Sequence, residues 1–352
     1  MRRLIPINTT IPPSPSPSPS PLTDFNSIPG GPFLFPPIPI LDSAFDITTL
    51  SLIASLILLS LLSLSFIFYL RLKSRTSHHL QNFNSLWSVR LLFVLFIFIW
   101  SLTETLRLPF FRRRFLYPFL PKFTLPQQSS LCKTHIILSL GFLQPGFLTT
   151  LLFLLDASIK KRNPFCPIGV IFLSCTPATI LQTFFVFFEP LKSRLPDCFY
   201  ASSVLSIDYF DNKILLCRFP LFSTIVFAAF GIVYSMVFLF SYWRVVSLVI
   251  NKATRMRIHA LAFSVLICLS IQVFFLALSS FFSAESPVYG GVMLGMFLSV
   301  LCCAAVGEGI LVIRPIADAL AAGGDCCQWR PGVRSLQPVE EGRREVMVEG
   351  SQ

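Results

Sequence analysis

Four ionisable residues fall inside or at the edges of long apolar stretches: Arg90, Glu104, Asp156 and Glu308. Charge inside a membrane helix is costly, so such residues pair with one another or serve ion or proton movement. Three of them stand within about a turn of a stretch end, where interfacial water is in reach. Glu308, in Gly307-Glu308-Gly309, is the deepest, about five residues from the end of its stretch. Two readings stand for it: an ion pair with Arg90 or Arg314, or a gating or coupling role.

The remaining chemistry is sparse. Four histidines, His78, His79, His135 and His259, are too few for a membrane di-iron oxidase of the desaturase type. There is no Gly-x-Ser-x-Gly elbow, no paired-aspartate protease pattern, no phosphate loop and no dinucleotide fingerprint. The reading is a non-enzyme with no cofactor, and no cysteine spacing suits zinc or haem.

Ten cysteines invite two other kinds of chemistry. Cys132, Cys198 and Cys217 fall on one side of the membrane in the topology argued below. A disulfide from Cys132 to Cys198 or Cys217 would tie the third apolar stretch to the following loop. Cys326 and Cys327, beyond the last stretch, are candidate lipidation sites that would pin a short surface helix over Ile316 to Ala322. Cys175, Cys268, Cys302 and Cys303 read as small packing residues within helices.

These residues need elements to hold them, and composition says which. The chain is 54% hydrophobic and 13% charged, against about 25% charged in a soluble domain. The apolar residues cluster in blocks of roughly 20, enough to cross a ~30 Å hydrocarbon core as helix. The blocks run over about 47–70, 87–106, 135–155, 168–188, 221–245, 260–282 and 288–313. Lipid offers no partner to a bare backbone, so each block is expected to be helical. Pro145 and Pro177 are expected to kink theirs. The fold class is therefore an all-α integral membrane protein, a seven-helix bundle over 47–313. A disordered Pro/Ser-rich tail (1–46) precedes it and a tail (314–352) follows. The Ser-Pro alternation up to Pro21 favours stiff polyproline II and rules against a cleaved signal peptide.

The net charge of +11 is distributed as short clusters between blocks, which fits membrane topology and not nucleic-acid binding. With the N-terminus outside, the inner segments carry sixteen Lys and Arg and the outer ones twelve. The dissenting segment is the second loop, with Arg107, Arg112, Arg113, Arg114, Lys122 and Lys133. The N-glycosylation sequon at Asn8 then lies outside. The Ser-Pro run is similar in composition to the glycosylated segments of plant cell-surface proteins. The expected location is the plasma membrane, N-terminus outside and C-terminus in the cytoplasm.

Seven helices, an outer tail, Cys132 near the third helix, cysteines in the next outer loop and Cys326-Cys327 after the seventh resemble the G-protein-coupled receptor plan. The rhodopsin-like switch motifs are absent: the third block ends Asp156-Ala157-Ser158, and the seventh ends Ile313-Arg314-Pro315. Over about 45–330 the chain is similar to the plant candidate G-protein-coupled receptors, divergent seven-helix proteins. That resemblance implies a receptor-like role and a heterotrimeric G-protein alpha subunit, or another acidic cytoplasmic partner, as its contact. Arg244, Lys252, Arg255 and Arg257, in the fifth loop, are the candidate contact; binding of anionic headgroups is the plainer reading of the same charge. The alternatives are a membrane scaffold or accessory protein and a small-solute transporter.

Overall fold

The computed structural model describes residues 39–74, 86–112, 124–157, 165–188, 195–207, 213–283 and 286–322. Residues 1–38 of the Pro/Ser-rich tail, with Asn8, and the segment carrying Cys326 and Cys327 lie outside them; residues 39–46, expected to belong to that tail, are instead the start of the first helix, Pro39–Ser74. Among the described residues seven helices are long and apolar enough to cross a membrane. They are Ala44–Lys73, Trp87–Arg107, Leu125–Asp156, Ile168–Phe188, Leu221–Leu248, Lys252–Ser279 and Val288–Asp318, here called the first to seventh spans.

Three of the boundaries that differ from the hydropathy reading do so for a clear local reason. The third span starts ten residues before His135. Pro126 stands in its first turn, and the Thr124 N–H donates to the Gln127 side chain at 3.0 Å, a capping arrangement that begins a helix in polar sequence. Cys132 is therefore inside the helix, not ahead of it. The sixth span starts at Lys252, where the Asn251 side chain caps the Ala253 N–H at 3.0 Å. The seventh does not stop at Ile313. It runs on without a break through Arg314–Ala322, so the separate surface helix expected there is the continuation of the span.

That continuation passes a proline, and its geometry is repeated in the third span. Ile137–Leu143 and Glu308–Ile313 are π-helical. The first ends at Gln144, just before Pro145, and the second at Arg314, just before Pro315. The Gln144 N–H bonds to the Ser139 carbonyl and the Arg314 N–H to the Gly309 carbonyl, each five residues back. A proline in an α-helix lacks a donor and presses its ring on the carbonyl four residues earlier. A wider turn relieves that contact without ending the helix. The carbonyl four before Pro145, that of Gly141, accepts instead from the Thr179 hydroxyl of the fourth span at 2.9 Å. Pro177 lies within the fourth span, which continues through it.

Neighbouring spans pack in sequence order, first against second and so on to the seventh, which returns to the first. The third span is innermost and also touches the second, fourth, fifth and seventh. Between spans 4 and 5, β1 (Ser203–Ile207) and β2 (Lys213–Cys217) pair antiparallel, Ser203 opposite Cys217. This hairpin lies against the start of the third span.

Lipid tails are as apolar as leucine, so close packing holds the spans together. Glycines make room for rings: a Cβ on Gly146 would stand 2.7 Å from Phe96, on Gly295 2.8 Å from Phe275, and on Gly307 2.9 Å from Phe93. Phe96, Phe142 and Phe172 cluster across the second, third and fourth spans. Phe240, Trp243 and Phe263 point away from the bundle and are largely exposed, as lipid-facing residues should be.

Candidate functional site

The hairpin end of the bundle holds a disulfide and a buried charged cluster. Cys132 of the third span is bonded to Cys217 at the end of β2, 85 residues away. Of the three cysteines weighed for this bridge, Cys198 is left as a free thiol in a short turn. Just beyond Cys217, Phe219 is buried against the ring of His135. The Tyr289 hydroxyl of the seventh span donates to the Cys217 carbonyl at 3.0 Å.

Beneath the hairpin, Glu104 has no exposed surface. Its Oε2 accepts from Arg107 Nε at 2.7 Å. Its Oε1 lies 3.4 Å from the Ser139 hydroxyl and 3.5 Å from His135 Nε2, the latter without hydrogen-bond geometry. Trp100 Nε1 donates to Ser139 at 2.9 Å and the Trp100 ring stacks on Phe297. Arg107 Nη1 reaches Met293 Sδ at 3.4 Å, and its guanidinium lies over the Phe219 ring. Two helical facts assemble this cluster. Trp100, Glu104 and Arg107 are spaced three and four apart and share a face. Ser139 lies in the π turn of the third span, and its hydroxyl reaches both Trp100 and Glu104.

The sequence singled out Glu104 but not its partners. Hydropathy assigns Arg107 to the second loop, although it stands one turn from Glu104 on the same helix. Arg112 of the same loop is buried as well and donates to the Leu215 carbonyl of β2 at 2.9 Å. His135 and Ser139 carry no local signal, because they meet Glu104 only through packing of two spans.

Midway along the bundle, Gln272 Nε2 donates to Gln144 Oε1 at 2.6 Å between the sixth and third spans. Farther from the hairpin, Glu308 is fully buried at the start of the second π segment. It accepts from Ser60 at 2.9 Å and Ser63 at 2.8 Å, both on the first span. The expected ion pair with Arg90 or Arg314 does not form. Ser60 and Ser63 are three apart and present two hydroxyls side by side, which satisfy both carboxylate oxygens.

At the opposite end from the hairpin, two ion pairs link spans. Asp156 of the third span meets Arg244 of the fifth at 4.0 Å, and Asp318 of the seventh meets Arg257 of the sixth at 3.1 Å. Of the four basic residues read as one contact surface, Arg244 and Arg257 are thus engaged between helices. Lys252 and Arg255 are exposed. Among the described residues no group of three His, Cys, Asp or Glu side chains could hold a metal ion.

The spans and the polar groups buried between them define a multi-pass α-helical membrane protein. The chain belongs to the family described as "uncharacterised conserved protein UCP031277", whose sequence model matches residues 36–326 and so takes in every span. No curated protein matches the chain.

Proposed function

We propose that the protein is a receptor-like signalling protein of the plasma membrane, with its hairpin face outside and its C-terminus in the cytoplasm. One observation carries this reading. The third span is bonded covalently to the hairpin at Cys132, holds the Glu104 cluster through Ser139 and His135, and ends at Asp156 in an ion pair with the fifth span. A ligand that shifts the hairpin acts on a helix that touches the second, fourth, fifth and seventh spans. Its free energy can favour one packing of those helices over another only through differential contacts, and the hairpin supplies a place for them.

The disulfide supports the outward side for the hairpin, since such bonds persist in oxidising compartments. Two of the six basic residues of the second loop weigh less against it than their charge suggests. Arg107 and Arg112 are buried by protein, so they are weak retention signals. On the inner face, Lys252 and Arg255 form the contact for an acidic cytoplasmic partner, with a G-protein alpha subunit as the first to try.

The test is capture of a purified G-protein alpha subunit by the full chain in nanodiscs. Lys252→Glu with Arg255→Glu is expected to weaken capture by on the order of tenfold or more, because like charges then face each other. Equal capture by wild type and variant, or none by either, contradicts the reading.

A further inference from the structure

Arg90 is the one charge of the original four that the contacts above leave unexplained. It stands four residues into the second span, at the end away from the hairpin. It lies on the stripe Arg90, Phe93, Ile97, Trp100 and Glu104, the face that packs into the bundle. Phe93, the next residue of that stripe, meets Gly307 of the seventh span. Arg90 is only 8% exposed, and its Nε is buried without a hydrogen-bond partner. No described carboxylate reaches it.

A buried cation without a counter-charge is among the costliest arrangements a protein can hold. Side chains on a helix lean toward the N-terminus, so Arg90 lies back over the first turn of its span. That turn has no side-chain cap, since Leu86 precedes it, and its N–H groups carry the positive end of the helix dipole. Trp87 stands three residues before Arg90 on the same side, with the Arg71 guanidinium 3.4 Å over its ring.

We propose that the first turn of the second span binds a phosphate group, with Arg90 as its charged ligand. The guanidinium offers paired donors to two phosphate oxygens, and the positive end of the helix dipole favours the anion. The phosphate comes from an anionic lipid headgroup of the adjoining leaflet or from a soluble phosphate compound. Both share the chemistry, and the experiment separates them.

The full chain is placed in phosphatidylcholine nanodiscs and its thermal unfolding midpoint recorded in three conditions: no anion, added inorganic phosphate, and phosphatidic acid included in the bilayer. Wild type is expected to rise with at least one of the two. A rise with phosphatidic acid alone assigns the lipid, and a rise with inorganic phosphate assigns a soluble ligand. Arg90→Met, which keeps the length of the stem, is expected to match or exceed wild type without anion, because it removes a charge that has no partner. It should show no rise with either anion, and Arg90→Lys should keep a reduced one. The proposal is overturned by a wild type that responds to neither anion or by a rise that survives in Arg90→Met. It is overturned equally if Arg90→Met melts lower in phosphatidylcholine alone, which would make Arg90 a structural residue.

Discussion

Glu104 and Arg107 stand one turn apart on the second span and share a 2.7 Å charged hydrogen bond with almost no access to solvent. Removing either partner strands the other. Glu104→Ala or Arg107→Met should each cost about 3–5 kcal/mol, while the double substitution should cost clearly less than the sum of the two. Unfolding midpoints of the four proteins in one detergent check this. Additive losses would show that the two side chains act independently.

The disulfide closes a loop spanning 85 residues. Loop-closure entropy for that length is worth about 4–5 kcal/mol. Cys132→Ser or Cys217→Ser should therefore lower stability strongly, and reductant should lower wild type to the same level. Cys198→Ser should change neither. Alkylation before reduction, read by mass spectrometry, should modify Cys198 and spare the other two.

Ser60 and Ser63 are held by Glu308 across the first and seventh spans. Glu308→Ala leaves two buried hydroxyls to find other acceptors and should destabilise by about 1–3 kcal/mol. Adding Ser60→Ala and Ser63→Ala to it should restore part of that loss. A triple variant less stable than Glu308→Ala by the sum of two serine losses would contradict the arrangement.

Gly307 leaves no room for a methyl beside Phe93. Gly307→Ala should cost about 1–3 kcal/mol through overpacking. Phe93→Leu in the same chain should recover some of it, although alone it is destabilising. Thermal unfolding of the three variants decides the sign of the coupling.

The seven spans were legible because lipid imposes a length and a polarity on each, and Ile168–Phe188 matches the hydropathy block at both ends. Helix ends were less so. Hydropathy stops at the polar Gln127-to-Lys133 segment and at Arg314-Pro315, but a capping arrangement starts one helix in polar sequence and a π turn carries the other past its proline. Neither leaves a mark on an apolarity profile. The candidate disulfide narrowed to three cysteines, and only the hairpin, whose register sets Cys217 beside the third span, selects the pair. Charge balance suggests an arginine partner for Glu308, whereas two serines three apart on another span supply the hydrogen bonds. Counting Arg107 and Arg112 as loop charges made the second loop look more cytoplasmic than their burial warrants.

The most direct test of the account is the side of the membrane on which each end and Cys198 lie. In intact cells, an impermeant maleimide should label Cys198 of the full chain, and protease should remove a tag at Met1. A tag at Gln352 should be reached only after the membrane is opened. Both tags on the same side would mean an even number of crossings, and Cys198 labelled only after opening would put the hairpin inside. Either result would contradict a seven-span protein with an outward, disulfide-braced hairpin.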